Sequence, residues 1–503
     1  MGFQEKLQSI KNLMRDYKYY EALSSLFTWE QWQQLPTEGN DYRQKMQGFF
    51  TGKMGEIFLS DTAKQGAIYF SDFDPSLLGD DMERGLVRSF LYLYNNTTKV
   101  PLEKQVELAS LTAKAQKMWQ EAYQASDYSI FKPALEEIFR LKMGIAKYID
   151  PNKHPFYVLA GSADEGIEIE KVNLLFKELR NGIIKILEKI NKSSVNIDDS
   201  CILQQFDKEE LKTFIKYLVE ATGYDSSRGG FGEVLHPFAV LIGPRDVRIT
   251  TNYDTFKFGV FAAIHEAGHA MYAQRSNDAV VDMHLWGGNM GAFHESQSRF
   301  YENIIGKSKE YWLHFYPELQ KRFAQFENVD LDTFYKAINK VEPSFKRVVA
   351  DELTYSLHPI LRFEIEKDLV EGNANFNMLP ELWNDKYETY LGIRPTNDRE
   401  GVLQDVHWSM GLVGYFQSYA LGNLYGGQFR RAMLKAVPNV YSEIAKGNFA
   451  PLNQWMTENI HQHGRVYSPD EMLRRVTGEE LQSKYFLDYL KEKYSQIYQF
   501  DLE

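Results

Sequence analysis

The stretch FAAIHEAGHAMYA, residues 261–273, sets His265 and His269 four positions apart within small and apolar residues, with Glu266 directly after the first histidine. Phe258, Phe261, Ile264 and Met271 give this segment a helical apolar face, and a spacing of four puts both imidazoles on one side of that helix. Two nitrogens so placed can grip one zinc ion while Glu266 points toward a water on the metal. The zinc acidifies that water and the carboxylate can take its proton. Gly268 leaves space close to the metal. A five-residue pattern also arises by chance in long chains, so its weight depends on what else agrees with it.

Two histidines leave a catalytic zinc one protein ligand short, since such sites hold three plus water. Downstream, NMGAFHESQSRFYENII offers His294 and Glu295 on a second predicted helix, 25 and 26 residues beyond His269. Either side chain can bind. The residues after His269 are AMYAQRS, which lack the third-histidine extension HExxHxxGxxH. This favours a carboxylate, and Glu295 is the best-placed one.

The rest of the chain bounds the setting. With 503 residues, 44% hydrophobic and 25% charged, it is an ordinary globular sequence, read as one large unit spanning 1–503. No stretch approaches the roughly 20 apolar residues of a membrane span. Residues 1–20 are charged throughout, so no export is expected, and the single Cys201 excludes an internal disulfide and fits a reducing cytoplasm. A net charge of −12 with no long basic run argues against nucleic acid as a partner.

Apolar residues recur at three and four over 102–125, 168–193, 208–222 and 350–370, which predicts a mostly α-helical protein. Residues 1–200 form a helical lobe with little motif, and 201–503 the part that carries the chemistry. The segment 223–238 reads as loop, and Val247 to Tyr253 alternates as a strand beside the motif helix. That strand is expected at a groove with an open edge, pairing with substrate backbone by strand addition. Ser468, Pro469 and Glu471 predict a capping box that opens a C-terminal helix.

The motifs occur in a telling series: HPF at 236–238, DVRIT at 246–250, HEAGH at 265–269, HESQSR at 294–299, RVVADE at 347–352, and GVLQDVHWSMGLVGYFQSYALGN at 401–423. NIHQHG at 459–464 and YSPDEMLRRVTG extend it toward the C-terminus. In this order they resemble the family M32 metallocarboxypeptidases, the thermostable carboxypeptidase group. The resemblance implies a two-lobed, neurolysin- and angiotensin-converting-enzyme-like fold with a small β-sheet lining a deep groove. It implies release of single residues from peptide C-termini, usually by a homodimer, with one Zn2+ per chain that Co2+ sometimes replaces. His265, His269 and Glu295 fall on the metal-ligand positions and Glu266 on that of the base.

The resemblance to related helical zinc peptidases implies a His and a Tyr from 401–423 that hydrogen-bond the tetrahedral intermediate, for which His407 and Tyr419 are favoured with Tyr415 close by, and His236 reads as either a substrate contact or a loop anchor. His461 and His463, at i and i+2, cannot face one way on a helix and read as structural. An exopeptidase also needs a group for the free carboxylate, and the fork of arginine suits it best. Arg347 ranks first and Arg248 second. The competing reading of each is an ion pair, Arg347 with Asp351 or Arg248 with Asp246. Two rival functions share the core motif: a zinc endo- or oligopeptidase of the same fold, and a non-catalytic peptide-binding protein.

Overall fold

The structure, a computed structural model, describes residues 2–73 and 78–501. It is mostly helical with one small sheet. Helices Leu102–Ala125, Ile169–Lys192 and Lys208–Thr222 follow the apolar periodicity closely, while the periodic segment after residue 350 is divided into Glu352–Tyr355 and Leu357–Glu371. The helix Lys208–Thr222 shows why: Leu211, Phe214, Ile215, Leu218, Val219 and Thr222 are its buried residues, spaced three and four apart, and the Asp207 side chain caps its start. At the other end of the chain, Ser468 and Glu471 form the capping box on helix Pro469–Thr477.

Apolar burial is divided unevenly. One large core draws on residues from Ala115 to Tyr498 and runs through residue 200 without a break. A second, smaller cluster gathers the N-terminal helices around Ile10, Phe58, Phe70, Leu86 and Phe90, and joins the body through Val280, Leu285 and Val466. Among the described residues no helix is long and apolar enough to cross a membrane.

The sheet has three strands, β1 (Phe231–Glu233), β2 (Ala239–Gly243) and β3 (Asp246–Thr251), in the order β1-β3-β2. β1 pairs with β3 in parallel, with Phe231 opposite Ile249, and β2 pairs with it antiparallel, with Val240 opposite Arg248. This corrects the expected open edge at Val247 to Tyr253. β3 is the central strand, both of its backbone edges are already paired, and no substrate strand can add to it. Two further strands lie in the segment read as loop and in the apolar run after it. β3 does lie against the motif helix Phe256–Gln274: the Thr251 hydroxyl donates to the Gly259 carbonyl at 3.0 Å.

Several histidines are buried in this body. His358 on helix Leu357–Glu371 is 3% exposed, with Nδ1 2.8 Å from the Tyr387 hydroxyl, and burial, reinforced by the Arg347 charge, pushes it down to about 3. Such a histidine stays neutral when folded but takes up a proton on unfolding at any pH between about 3 and its ordinary 6.5, so its stabilising effect is full above 6.5 and shrinks as pH falls through that window. Each one weakens the fold by about 2 kcal/mol at pH 5 relative to pH 7.5. Urea melts at the two pH values should show His358→Gln losing roughly that much less stability than the wild type on acidification; an identical pH slope would remove His358 from the account.

Candidate active site

The site is built from three helices in contact. His265, Glu266 and His269 lie on Phe256–Gln274, Glu295 on Ala292–Arg299, and Tyr419 on Gln417–Ala436, which packs against the glutamate helix. Two glycines set the approach. A Cβ on Gly268 would lie 2.7 Å from the Gln297 carbonyl and 2.8 Å from the Ser298 Cα, and one on Gly422 would lie 2.7 Å from the Glu295 Cγ. Gly268 therefore admits the neighbouring backbone and does not simply open space at the metal. Asp164 ties the starts of two helices together: its carboxylate accepts from the Ala292 backbone at 2.6 Å, from Ser418 Oγ at 2.6 Å and from Gln417 Nε2 at 3.0 Å.

His265 Nε2 and His269 Nε2 stand 3.6 and 3.5 Å from Glu295 Oε2, and the three ligand atoms all fall within 4.8 Å of one another. Ligands about 2 Å from one tetrahedral centre are about 3.3 Å apart, so this donor set fits a divalent ion with room for a water. Burial works to raise the Glu295 carboxyl, but the Arg299 guanidinium and the two imidazoles overcome it and hold it far below the usual carboxylate range. It is ionised, as a metal ligand must be. Arg299 Nε donates to Glu295 Oε1 at 2.7 Å, leaving Oε2 toward the imidazoles.

The other nitrogen of each imidazole is engaged behind the site. His265 Nδ1 donates to Glu302 Oε2 at 2.8 Å, and His269 Nδ1 lies 2.6 Å from His294 Nδ1. His294, the alternative ligand, thus sits behind His269 and away from the shared Nε2 side. Glu266 is 7% exposed and burial raises its carboxyl; among the described residues no side chain or backbone group hydrogen-bonds it.

His407 Nε2 lies 3.2 Å from the Tyr419 hydroxyl, and burial pushes the imidazole down to about 3, so it is neutral at pH 7. The rings of Tyr415 and Tyr419 are 5.5 Å apart. Burial drives Tyr415 up to about 12 and Tyr419 well above its usual value, with the Glu295 charge contributing to each shift, and both keep their protons. Glu366 fixes the segment that carries His407 and Tyr415, accepting from Trp408 Nε1 at 2.7 Å and from the Gly414 backbone at 2.8 Å.

Both arginines are engaged in ion pairs, one of them with a partner other than the one the sequence offered. Arg347 lies on a short 3-10 turn, Arg347–Val349, and its fork is occupied by Asp405, Nε to Oδ2 at 3.1 Å and Nη2 to Oδ1 at 3.2 Å, while Nη1 donates to the Tyr355 hydroxyl at 3.0 Å. Its ion-pair partner is therefore Asp405 and not Asp351, which instead caps helix Glu352–Tyr355. Arg248 does pair with Asp246, at 2.8 Å through both Nε and Nη2. His236 is exposed on the loop between β1 and β2. His461 is buried with Nε2 3.0 Å from Gln297 Oε1, and His463 Nε2 lies 3.1 Å from the Glu458 carbonyl, so the two have separate partners.

Three residues around the site were not singled out in the sequence: Arg299, Glu302 and Tyr355. The Arg299 guanidinium lies 3.7 Å above the Tyr355 ring and bridges Glu295 and Glu302. The available signal was charge at i, i+4 and i+7 from Glu295 within an otherwise uncharged segment, one stripe of a helix.

A family profile described as Carboxypeptidase Taq (M32) metallopeptidase matches residues 9–494. Carboxypeptidase 1 of Bacillus subtilis is 38% identical over 491 residues, covering 97% of this chain and 97% of that protein. Thermostable carboxypeptidase 1 of Thermus thermophilus is 33% identical over 509 residues, 98% of each. The crystal structure of an M32 carboxypeptidase from Deinococcus radiodurans R1 superposes with a TM-score of 0.94 at 30% identity, covering 99% of this chain and 100% of that one.

The helix contact generates a direct prediction. Gly268→Ala forces a methyl against backbone atoms that cannot turn away, and should cost about 1–3 kcal/mol and loosen bound metal. Gly144→Ala, on a helix where a Cβ meets nothing within 4 Å, should be neutral or stabilise by up to about 1 kcal/mol. Thermal melts and metal content of the two variants check this, and equal behaviour would dismiss the packing argument.

Proposed function

Since the chain belongs to the carboxypeptidase Taq (M32) metallopeptidase family and is a metallocarboxypeptidase, we propose that His265, His269 and Glu295 hold one Zn2+ and that Glu266 is the general base. The observation that carries this reading is the pair of Nε2 atoms converging on Glu295 Oε2 beside the buried Glu266, whose carboxylate takes no hydrogen bond among the described residues. Two imidazoles and one carboxylate suit zinc, and Co2+ suits the same donors. When bound, the ion supplies Lewis acidity and lowers the pKa of its water.

Glu266 accepts a proton from the attacking water and passes it to the leaving amine nitrogen, while His407 and Tyr419 donate hydrogen bonds to the developing oxyanion. Neutral His407 has a proton to give, and so does the un-ionised phenol. Tyr415 and His236 are assigned to the bound peptide. The same reading takes the peptide to lie in a deep groove between two lobes of a single unit, in a cytoplasmic homodimer. Chelation should abolish hydrolysis; His269→Ala should lose bound zinc, whereas Glu266→Gln should keep it and be inactive. Zinc retained stoichiometrically by an active His269→Ala enzyme would sink the ligand assignment.

For the free C-terminal carboxylate we take Arg248 ahead of Arg347, on the difference between their ion pairs. Separating the buried Arg347–Asp405 pair would give up its bidentate contact and leave Asp405 only the longer one to Arg362 Nη1 at 3.5 Å, and both side chains of the pair are only 9% exposed. The Arg248–Asp246 pair, 28% and 35% exposed, exchanges partners at little cost. Arg248 is thus the clamp and Arg347 the support of Asp405 and of the Tyr419 ring, 4.5 Å from its guanidinium. On matched acid and amide peptides, Arg248→Ala should lose roughly 2–5 kcal/mol in kcat/KM on the acid and far less on the amide. Arg347→Ala should impair both alike. The opposite pattern would restore Arg347 as the clamp.

A further inference from the structure

The two histidine ligands are held by unlike partners. Behind His269 stands the imidazole of His294, whereas behind His265 stands a carboxylate, Glu302, with cationic side chains on two sides. Glu302 Oε2 accepts from His265 Nδ1 at 2.8 Å and from Arg299 Nη1 at 3.2 Å, and Oε1 accepts from Lys307 Nζ at 3.2 Å. The side chain is 12% exposed. It lies on the far side of the imidazole from Nε2 and is not one of the three converging ligand atoms.

The backbone here is unusual in a way that serves this contact. The glutamate helix Ala292–Arg299 runs directly into a π-helical turn, Phe300–Ile305, closed by the Gly306 N–H donating to the Tyr301 carbonyl at 2.8 Å. Wide turns of this kind are rare and concentrate at functional sites. Glu302 sits within it, so one continuous segment delivers a direct ligand, Glu295, and the group behind a second ligand, with Arg299 bonded to both.

We propose that Glu302 is a positioning residue of the metal centre: by accepting from His265 Nδ1 it fixes the ring and the tautomer that leaves Nε2 free, and its charge raises the basicity of that nitrogen. The inference rests on His265, His269 and Glu295 being the ligands. A carboxylate behind a metal-bound imidazole acts in this manner, and its loss typically weakens binding 10–100-fold. The competing role is purely structural, a counter-ion for Arg299 and Lys307.

The test measures zinc affinity by competition with a chromogenic chelator, alongside melting of the metal-free protein, for the wild type, Glu302→Gln, Glu302→Ala and His269→Ala. Glu302→Gln keeps an acceptor of the same shape without the charge and should bind zinc several-fold more weakly; Glu302→Ala, without acceptor or charge, should lose about 10–100-fold. Unchanged zinc affinity in both variants, with only the metal-free melting temperature lowered, overturns the proposal. If Glu302→Ala fails to fold, the glutamine variant decides alone: wild-type affinity refutes, and weaker affinity at an unchanged metal-free melting temperature supports. A wild-type protein that binds no zinc, or a His269→Ala protein that binds it as well as wild type, identifies the ligand assignment as the failure instead.

Discussion

Everything at the active centre depends on how closely one short helix is held between two others. Glu295 can face His265 and His269 only because Gly268 lets the backbone of Gln297 and Ser298 come against the motif helix, and because Gly422 leaves room for the Glu295 side-chain stem on the opposite flank. A methyl at either position meets atoms closer than 3 Å. Close packing of this kind does not deform gradually, since interiors are as dense as organic crystals and absorb a displaced helix only by moving the rest. The distances between the candidate ligands are therefore a property of helix packing, set before any ion arrives.

Charge is organised around the same wedge. From Glu295 a chain of direct contacts runs through Arg299 to the Tyr355 ring, from the Tyr355 hydroxyl to Arg347, and from Arg347 to Asp405, which stands 3.8 Å from His407 Nδ1. Each buried charge in this series has an opposite charge or a ring face against it, as burial requires. The ligand cluster and the His407–Tyr419 pair are thus opposite ends of one network. Buried networks of this sort act as units, and changes at their ends do not add.

Much of this was legible in the sequence, for identifiable reasons. Long helices with apolar residues at three and four declare themselves, and so does a pair of histidines four apart, which the structure brings together with Glu295, one of the two candidates downstream. The sheet was less legible. β1 is three residues long and β2 is a short apolar run with no alternation, and neither length nor pattern separates such pieces from loop or buried helix. Alternation in β3 announces a strand but says nothing of its place in the sheet order, which is why its edges were misread. The partner of Arg347 was illegible for a different reason. A partner at i+4 is visible in sequence, whereas Asp405, 58 positions away, is chosen by tertiary contact. Glu302 was legible only as part of the charge stripe with Glu295 and Arg299, while its contact with His265, 37 positions away, is chosen by tertiary packing.

The carboxylate of Asp164 joins residues very distant along the chain: its partners Ala292, Gln417 and Ser418 lie 128, 253 and 254 positions downstream. Contacts so remote in sequence close late, because the loop entropy must be met before they give anything back. During synthesis the glutamate helix leaves the ribosome more than a hundred residues ahead of the helix that completes its bed, and Asp164 waits buried-to-be with its acceptors open. Until Ser418 arrives, His265, His269 and Glu295 belong to a chain without the packing that sets their spacing, so the geometry of the candidate metal site is a property of the finished chain.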